Sequence, residues 1–116
     1  MNSAIKKDCF SLIQEIALKE RPYCLVPGCC KPSTAGHHIF TRSRLSTAFN
    51  PQAVIALCES HHAFAHSHPA EGRKMAAGII GPDYEALRQI SLMVVRFRDS
   101  DFVRIRTILK SRLEGL

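Results

Sequence analysis

The chain has 116 residues, 46% hydrophobic and 22% charged, a length for one domain and a composition that excludes disorder, collagen-like repeats and mucin-like stalks. Sixteen Lys and Arg against ten Asp and Glu give +6, which suits a polyanionic partner, nucleic acid being the commonest. No apolar run reaches the ~18–20 residues of a membrane helix. The N-terminal MNSAIKKDCF lacks a long apolar stretch and does not read as a secretory signal, so residence in the cytosol is expected.

Residues 3–20 place Ile5, Cys9, Leu12, Ile13 and Ile16 at helical spacing, with Lys6, Lys7, Gln14 and Glu15 opposite. This predicts a helix that stops before Pro22. Residues 23–36 read as a Cys-, Pro- and Gly-rich knuckle, His37 to Phe40 as a short strand and 41–53 as a polar loop. Ala53 to Leu57 is an apolar run of strand length, and Glu59 to Ser67 reads as a short helix. Another short helix is expected over 70–79, broken by Gly81-Pro82. Asp83 is an expected N-cap for a helix from 84 to about 98, carrying Leu87, Ile90, Val94 and Phe97 on one face. Ser100 is the expected cap of a last helix bearing Phe102, Ile105, Leu109 and Leu113. These faces are expected to pack onto the domain, and a homodimer interface on the last helix is the alternative.

Five cysteines without an export signal favour metal binding or free thiols over disulfides. All six histidines fall within residues 37–68, a stretch whose single carboxylate is Glu59. Two metal-binding patterns emerge. In the first, Cys24-x4-Cys29 and Cys58-x2-His61 form two close pairs separated by a loop, the pattern of a structural Zn2+ site. Cys30 competes with Cys29, but Pro27-Gly28 supplies a turn that aims Cys29 back at Cys24. Cys9 sits on an apolar helix face and reads as core. In the second, His62 and His66 are four apart on a helix and share a face. His37 and His38 are adjacent on a strand and point to opposite sides. One of them can join His62 and His66 on an ion while the other faces a substrate, which separates a Lewis acid from a general base. His68 lies outside this pattern.

The run YCLVPGCCKPSTAGHHIFTRSRLSTAFNPQAVIALCESHHAFAHSHP, about residues 23–69, resembles the HNH endonucleases of the ββα-metal type. It looks closest to small phage and prophage HNH proteins, which often read HHIF…R…LC..HH…H. The resemblance implies an α+β, mainly helical fold. A zinc-clamped ββα-metal core (23–69) would be flanked by an N-terminal helix (1–22) and a helical extension (70–116) of two or three helices. It implies a metal-dependent DNA endonuclease in the cytoplasm of a bacterial host cell, with low intrinsic sequence specificity. His37, His62 and His66 would hold one catalytic divalent ion (Mn2+, Ni2+, Co2+, Mg2+ or Zn2+), and His38 would be the base that activates water. Cys24, Cys29, Cys58 and His61 match the structural zinc set, with His61 where a second Cys is usual.

Arg42 and Arg44, in the loop after the base, are candidates to hold flanking phosphates. The family's middle Asn falls at Ala53 in this chain, and Asn50 is the nearest Asn that can brace the loop from a shifted position. Ala53 also supports an alternative of another class, a catalytically impaired zinc module that binds DNA or protein.

Overall fold

The computed structural model describes residues 3–116; Met1 and Asn2 of the expected N-terminal segment lie outside the described residues. Helix α1 (Ser3–Glu20) buries Cys9, Ile13 and Ile16 completely, along the stripe expected from their spacing. A Cys-rich knuckle leads to strand β1 (Ala35–His38). The chain then passes through a one-turn helix α2 (Leu45–Ala48) and a 3-10 turn (Pro51–Ala53) into strand β2 (Val54–Leu57). Cys58 links β2 directly to helix α3 (Glu59–Ser67). Helix α4 (Pro69–Ile80), a second 3-10 turn (Gly81–Asp83), α5 (Tyr84–Ser91) and α6 (Asp99–Glu114) complete a mainly helical α+β fold. No described helix is long and apolar enough to cross a membrane.

The two strands pair antiparallel with His37 opposite Ile55 and His38 opposite Val54. Cross-strand partners share a face, and the two faces lie in different cores. Ala53, Ile55 and Leu57 join Cys24, Cys58, Ala65, Ala76 and Leu87 on the α3–α4 side. Val54 joins Cys9, Leu12, Ile13, Ile16, Phe102 and Leu109 between α1 and α6. Both sides of β2 are therefore covered, which is why VIAL reads as a continuous apolar run rather than an alternating one. Helix α6 lies on α1 through Phe102 and Leu109, with ion pairs Asp8–Arg106 (3.0 Å) and Glu20–Arg112 (2.6 Å) at the rim. The expected apolar face of the last helix is thus spent within the chain.

Gly36 sets how closely α1 approaches the hairpin. A Cβ at Gly36 would lie 2.9 Å from Val54 Cγ1 and 3.0 Å from Ala17 Cβ, closer than such atoms pack. The Gln14 amide uses this proximity: its Nε2 donates to the Gly36 carbonyl (2.6 Å) and its Oε1 accepts from the Gly36 N–H (2.9 Å). At Gly36 one side chain thus satisfies the outer edge of β1 as a third strand would.

Several expected boundaries shift. Strand β1 covers 35–38 rather than 37–40, because β2 is four residues long and its first residue, Val54, already pairs with His38. Phe40 falls beyond the ladder and packs against Tyr84 at 5.5 Å. The expected loop 41–53 contains α2 and the 3-10 turn. Pro69 opens α4 from its first position, where a missing N–H costs nothing. The helix expected over 84–98 ends at Ser91, whose hydroxyl turns back to donate to the Arg88 carbonyl (2.6 Å). Its apolar stripe serves two cores: Leu87 joins the α3–α4 side, whereas Phe97 packs on Phe102 at 5.5 Å. A straight helix would not reach both, and Val94 between them is 91% exposed. Asp83 has αR geometry and caps nothing. The N-cap of α6 is Arg98 rather than Ser100, and its N–H donates to the Asp101 carboxylate at 2.8 Å.

Candidate metal centres

The first centre is built by a turn and a helix start. Cys29 N–H donates to the Val26 carbonyl (3.0 Å), closing a turn over Pro27 and Gly28, and Gly28 has φ +80°. Pro at the second position and a left-handed Gly at the third are what a type II turn requires. Cys24 N–H donates to the Lys31 carbonyl (2.8 Å), so the knuckle folds back on itself. Cys58 is the N-cap of α3, and His61 sits in the first turn on the same side.

The four ligand atoms lie within 4.8 Å of one another. Cys29 Sγ is 3.8 Å from Cys58 Sγ, Cys58 Sγ is 3.3 Å from His61 Nδ1, and Cys24 Sγ is 3.5 Å from the same nitrogen. A tetrahedral zinc with S and N bonds of about 2.3 and 2.0 Å requires S···S near about 3.8 Å and S···N near about 3.5 Å. The donor set fits a structural metal ion such as zinc. Burial raises the Cys24 thiol above its ordinary value, whereas Cys58 is lowered to about 6, first by the Ser60 hydroxyl and then by the His61 backbone N–H. Cys30 is exposed, has φ +59° and is not one of the four clustered ligands. Cys9 is buried beside the Phe102 carbonyl, far from both centres in the fold.

The second centre gathers His37 from β1 with His62 and His66 from α3. His62 Nε2 and His66 Nε2 are 3.0 Å apart, and the His37 ring lies 5.4 Å from the His62 ring and 5.2 Å from the His66 ring. Two bonds of about 2.1 Å at right angles span about 3.0 Å, so the pair fits adjacent positions on one ion. His37 is held well below the ordinary imidazole value, to about 4, by burial and then by His62, His66 and His38. Burial and then His66 lower His62. Neutral imidazoles are the ligating form.

His38 faces the other side of the hairpin. Its Nε2 lies 2.9 Å from the Ala48 carbonyl. A carbonyl only accepts, so Nε2 carries the proton and Nδ1 keeps its lone pair. The Phe10 ring packs edge-on at 6.0 Å. Burial lowers the pKa of His38 and the Arg42 charge adds to this, while the Ala48 carbonyl opposes both.

Arg42 lies over the Phe10 ring at 4.2 Å, and Arg44 Nη1 donates to the Ser91 carbonyl at 3.5 Å. Asn50 Oδ1 accepts from the Gln52 N–H (3.0 Å) and holds the 3-10 turn that feeds β2. Ala53 is buried, and its carbonyl accepts from the Ile39 N–H (3.1 Å). His68 is exposed, stacks on Phe64 at 4.7 Å and stands outside both centres.

A groove of 770 Å³ runs past the second centre and is lined by His37, His38, His62 and His66 together with Arg42 and Arg44. Residues that the motifs do not mark also line it, namely Gln14 from α1, Arg73 from α4, and Tyr84 and Arg88 from α5. They carry no local signal, because only the packing of distant helices brings them there. Comparison with protein-family models, with curated proteins and with solved structures finds no match.

Proposed function

We propose that this chain is a metal-dependent endodeoxyribonuclease of the ββα-metal (HNH) type, of phage or prophage origin. One observation carries the reading: adjacent histidines on β1 are divided between two tasks. His37 converges with His62 and His66, whereas His38 is turned away and fixed through Nε2 by a backbone carbonyl. Strand, antiparallel strand and helix follow in the order β1, β2, α3, the arrangement after which the fold type is named.

A divalent ion at the three histidines would supply Lewis-acid stabilisation of charge on the phosphate and on the leaving 3′-oxygen. The other roles belong to the chain. Neutral His38 takes a proton from water at Nδ1 as the water oxygen attacks phosphorus, and the ring orientation is set in advance by Ala48. The bond to the 3′-oxygen breaks, that oxygen takes a proton from solvent water, and a 5′-phosphate and a 3′-hydroxyl remain. Arg42, stacked on Phe10, and Arg44, held to the Ser91 carbonyl, would offer their remaining guanidinium donors to neighbouring phosphates. Asn50 steadies the turn before β2 and thereby the hairpin.

The test is nicking of supercoiled plasmid with Mn2+, Ni2+, Co2+, Mg2+ or Zn2+. His38→Ala is expected to lose roughly 10²- to 10⁴-fold in rate while keeping two metal ions per chain. A wild-type chain that nicks with none of these ions sinks the reading. The alternative is a catalytically impaired zinc module that binds DNA or protein. It is favoured by Ala53, an apolar core residue at the position of the family's Asn, and it predicts one ion per chain.

A further inference from the structure

The groove has a wall that the ββα segment does not build. Helix α4 presents Pro69, Gly72, Arg73 and Ala76 to it, spaced as one helical face. Gly72 brings this face close to α3: a Cβ there would lie 3.0 Å from both the Cα and the carbonyl oxygen of Ala65. The residues that follow the two contact points, Arg73 and His66, consequently line the same groove.

The charge of that lining is one-sided. Four arginines and four histidines line it, and no carboxylate does among the described residues. Three of the arginines are engaged. Arg42 stacks on Phe10, Arg44 reaches the Ser91 carbonyl, and Arg88 makes a two-pronged pair with Glu85 at 2.7 and 2.9 Å. Arg73 alone has no side-chain hydrogen bond, ion pair or ring contact among the described residues. A guanidinium kept unpaired in a cleft without carboxylates is a ready anion ligand.

We propose that Arg73 binds a phosphodiester of a DNA strand lying in the groove, next to the phosphate at the histidine cluster. Helix α4 of the extension is then part of the substrate site. The choice of DNA rests on the nuclease reading; the anionic character of the ligand rests on the groove itself.

The experiment measures fluorescence anisotropy of a labelled short duplex, across a salt series, with the full-length metal-loaded His38→Ala chain as the uncleaving background. Adding Arg73→Gln is expected to weaken binding on the order of 10-fold and to reduce the slope of log K against log salt by about 1. Arg73→Lys is expected to restore the slope but not the full affinity, since an ammonium lacks the planar fork. Lys74→Gln removes the same charge from the same helix outside the groove lining and is expected to leave both readouts near the reference. Metal content and melting temperature are expected to be shared by all four proteins.

The proposal is overturned if Arg73→Gln matches Lys74→Gln, if it loses a metal ion, or if the duplex does not bind. It is also overturned if Arg73 governs binding of inorganic phosphate but not of the duplex. A wild-type chain that nicks plasmid while Arg73→Gln binds normally overturns this inference alone. A chain that never nicks but shows the Arg73-dependent slope overturns the nuclease reading alone.

Discussion

Cys58→Ser tests the contribution of a metal ion at the Cys24–Cys29–Cys58–His61 cluster. Cys58 makes no side-chain cap bond and serine is a favoured N-cap, so the start of α3 is not weakened while an ion at the cluster would lose a ligand. Such an ion would clamp Cys24 to His61, 37 residues apart. Treated as a cross-link, closing a loop of that length removes about 4 kcal/mol of chain entropy from the unfolded state. A domain of this size has about 5–15 kcal/mol in total, so loss of the clamp consumes much of its stability. Cys24 and Cys58 also belong to the core that contains Leu57, Ala65 and Leu87, so that core loses its frame as well. The α1–α6 core holds no zinc ligand and is expected to keep residual helix.

The assay is a thermal melt by circular dichroism with metal content per chain, on wild type, Cys58→Ser and Cys30→Ser. Cys58→Ser is expected to lose one ion and its cooperative transition, with part of the helical signal remaining. Cys30→Ser, altering an exposed thiol outside the cluster, is expected to melt like wild type. A Cys58→Ser chain that melts cooperatively within a few degrees of wild type would refute the reasoning, as would zinc loss from Cys30→Ser.

Gly36→Ala is expected to cost roughly 1–3 kcal/mol by overpacking, because its Cβ would meet Val54 and Ala17 at 3.0 Å or less; denaturant melts check this, and an unchanged midpoint contradicts it. Three imidazole ligands and a groove without carboxylates among the described residues favour borderline transition ions. Mn2+, Ni2+ or Co2+ is therefore expected to support nicking at lower concentration than Mg2+, and His37→Asp is expected to shift the preference toward Mg2+; equal metal titrations for both proteins would argue against this ligand set. With the histidine cluster metal-free, His37, His38 and His62 lie below the ordinary imidazole value of about 6.5, His37 at about 4. The unfolded state then binds more protons in that interval, so their contribution is full above pH 6.5 and falls as the pH drops toward 4. Melts of protein carrying one zinc per chain, at pH 7.5, 6 and 5, should show a declining midpoint, and a flat profile contradicts the burial argument.

The parts of the fold legible in the sequence are those fixed by local chemistry. Cys58-x2-His61 followed by His62-x3-His66 marks a helix start and one of its faces, and α3 begins and ends where that pattern indicates. Pro27-Gly28 selects a turn type, which selects Cys29 over Cys30. Long-range packing is not written locally. The register of β1 depends on the length of β2, and the end of α5 depends on Phe97 being claimed by a different core from Leu87. Arg73 follows a break between helices at His68-Pro69, so no periodicity carries the histidine face across to it.

Helix α3 ties the two centres together. His61 and His62 are consecutive, and one residue of helix turns a side chain by about 100°. The first therefore enters the Cys24–Cys29–Cys58 cluster while the second meets His37 and His66. Zinc at the first cluster would fix the start of α3 against the knuckle, and that start carries His62 with it. His37 reaches the same place through its register opposite Ile55, which packs in the core that surrounds Cys24 and Cys58. An ion at the first cluster would thus hold α3, and with it His62 and His66, against the hairpin that carries His37. An ion at the first cluster and the histidine cluster would then form one mechanical unit, anchored at the start of a short helix that carries His62 and His66 along its side.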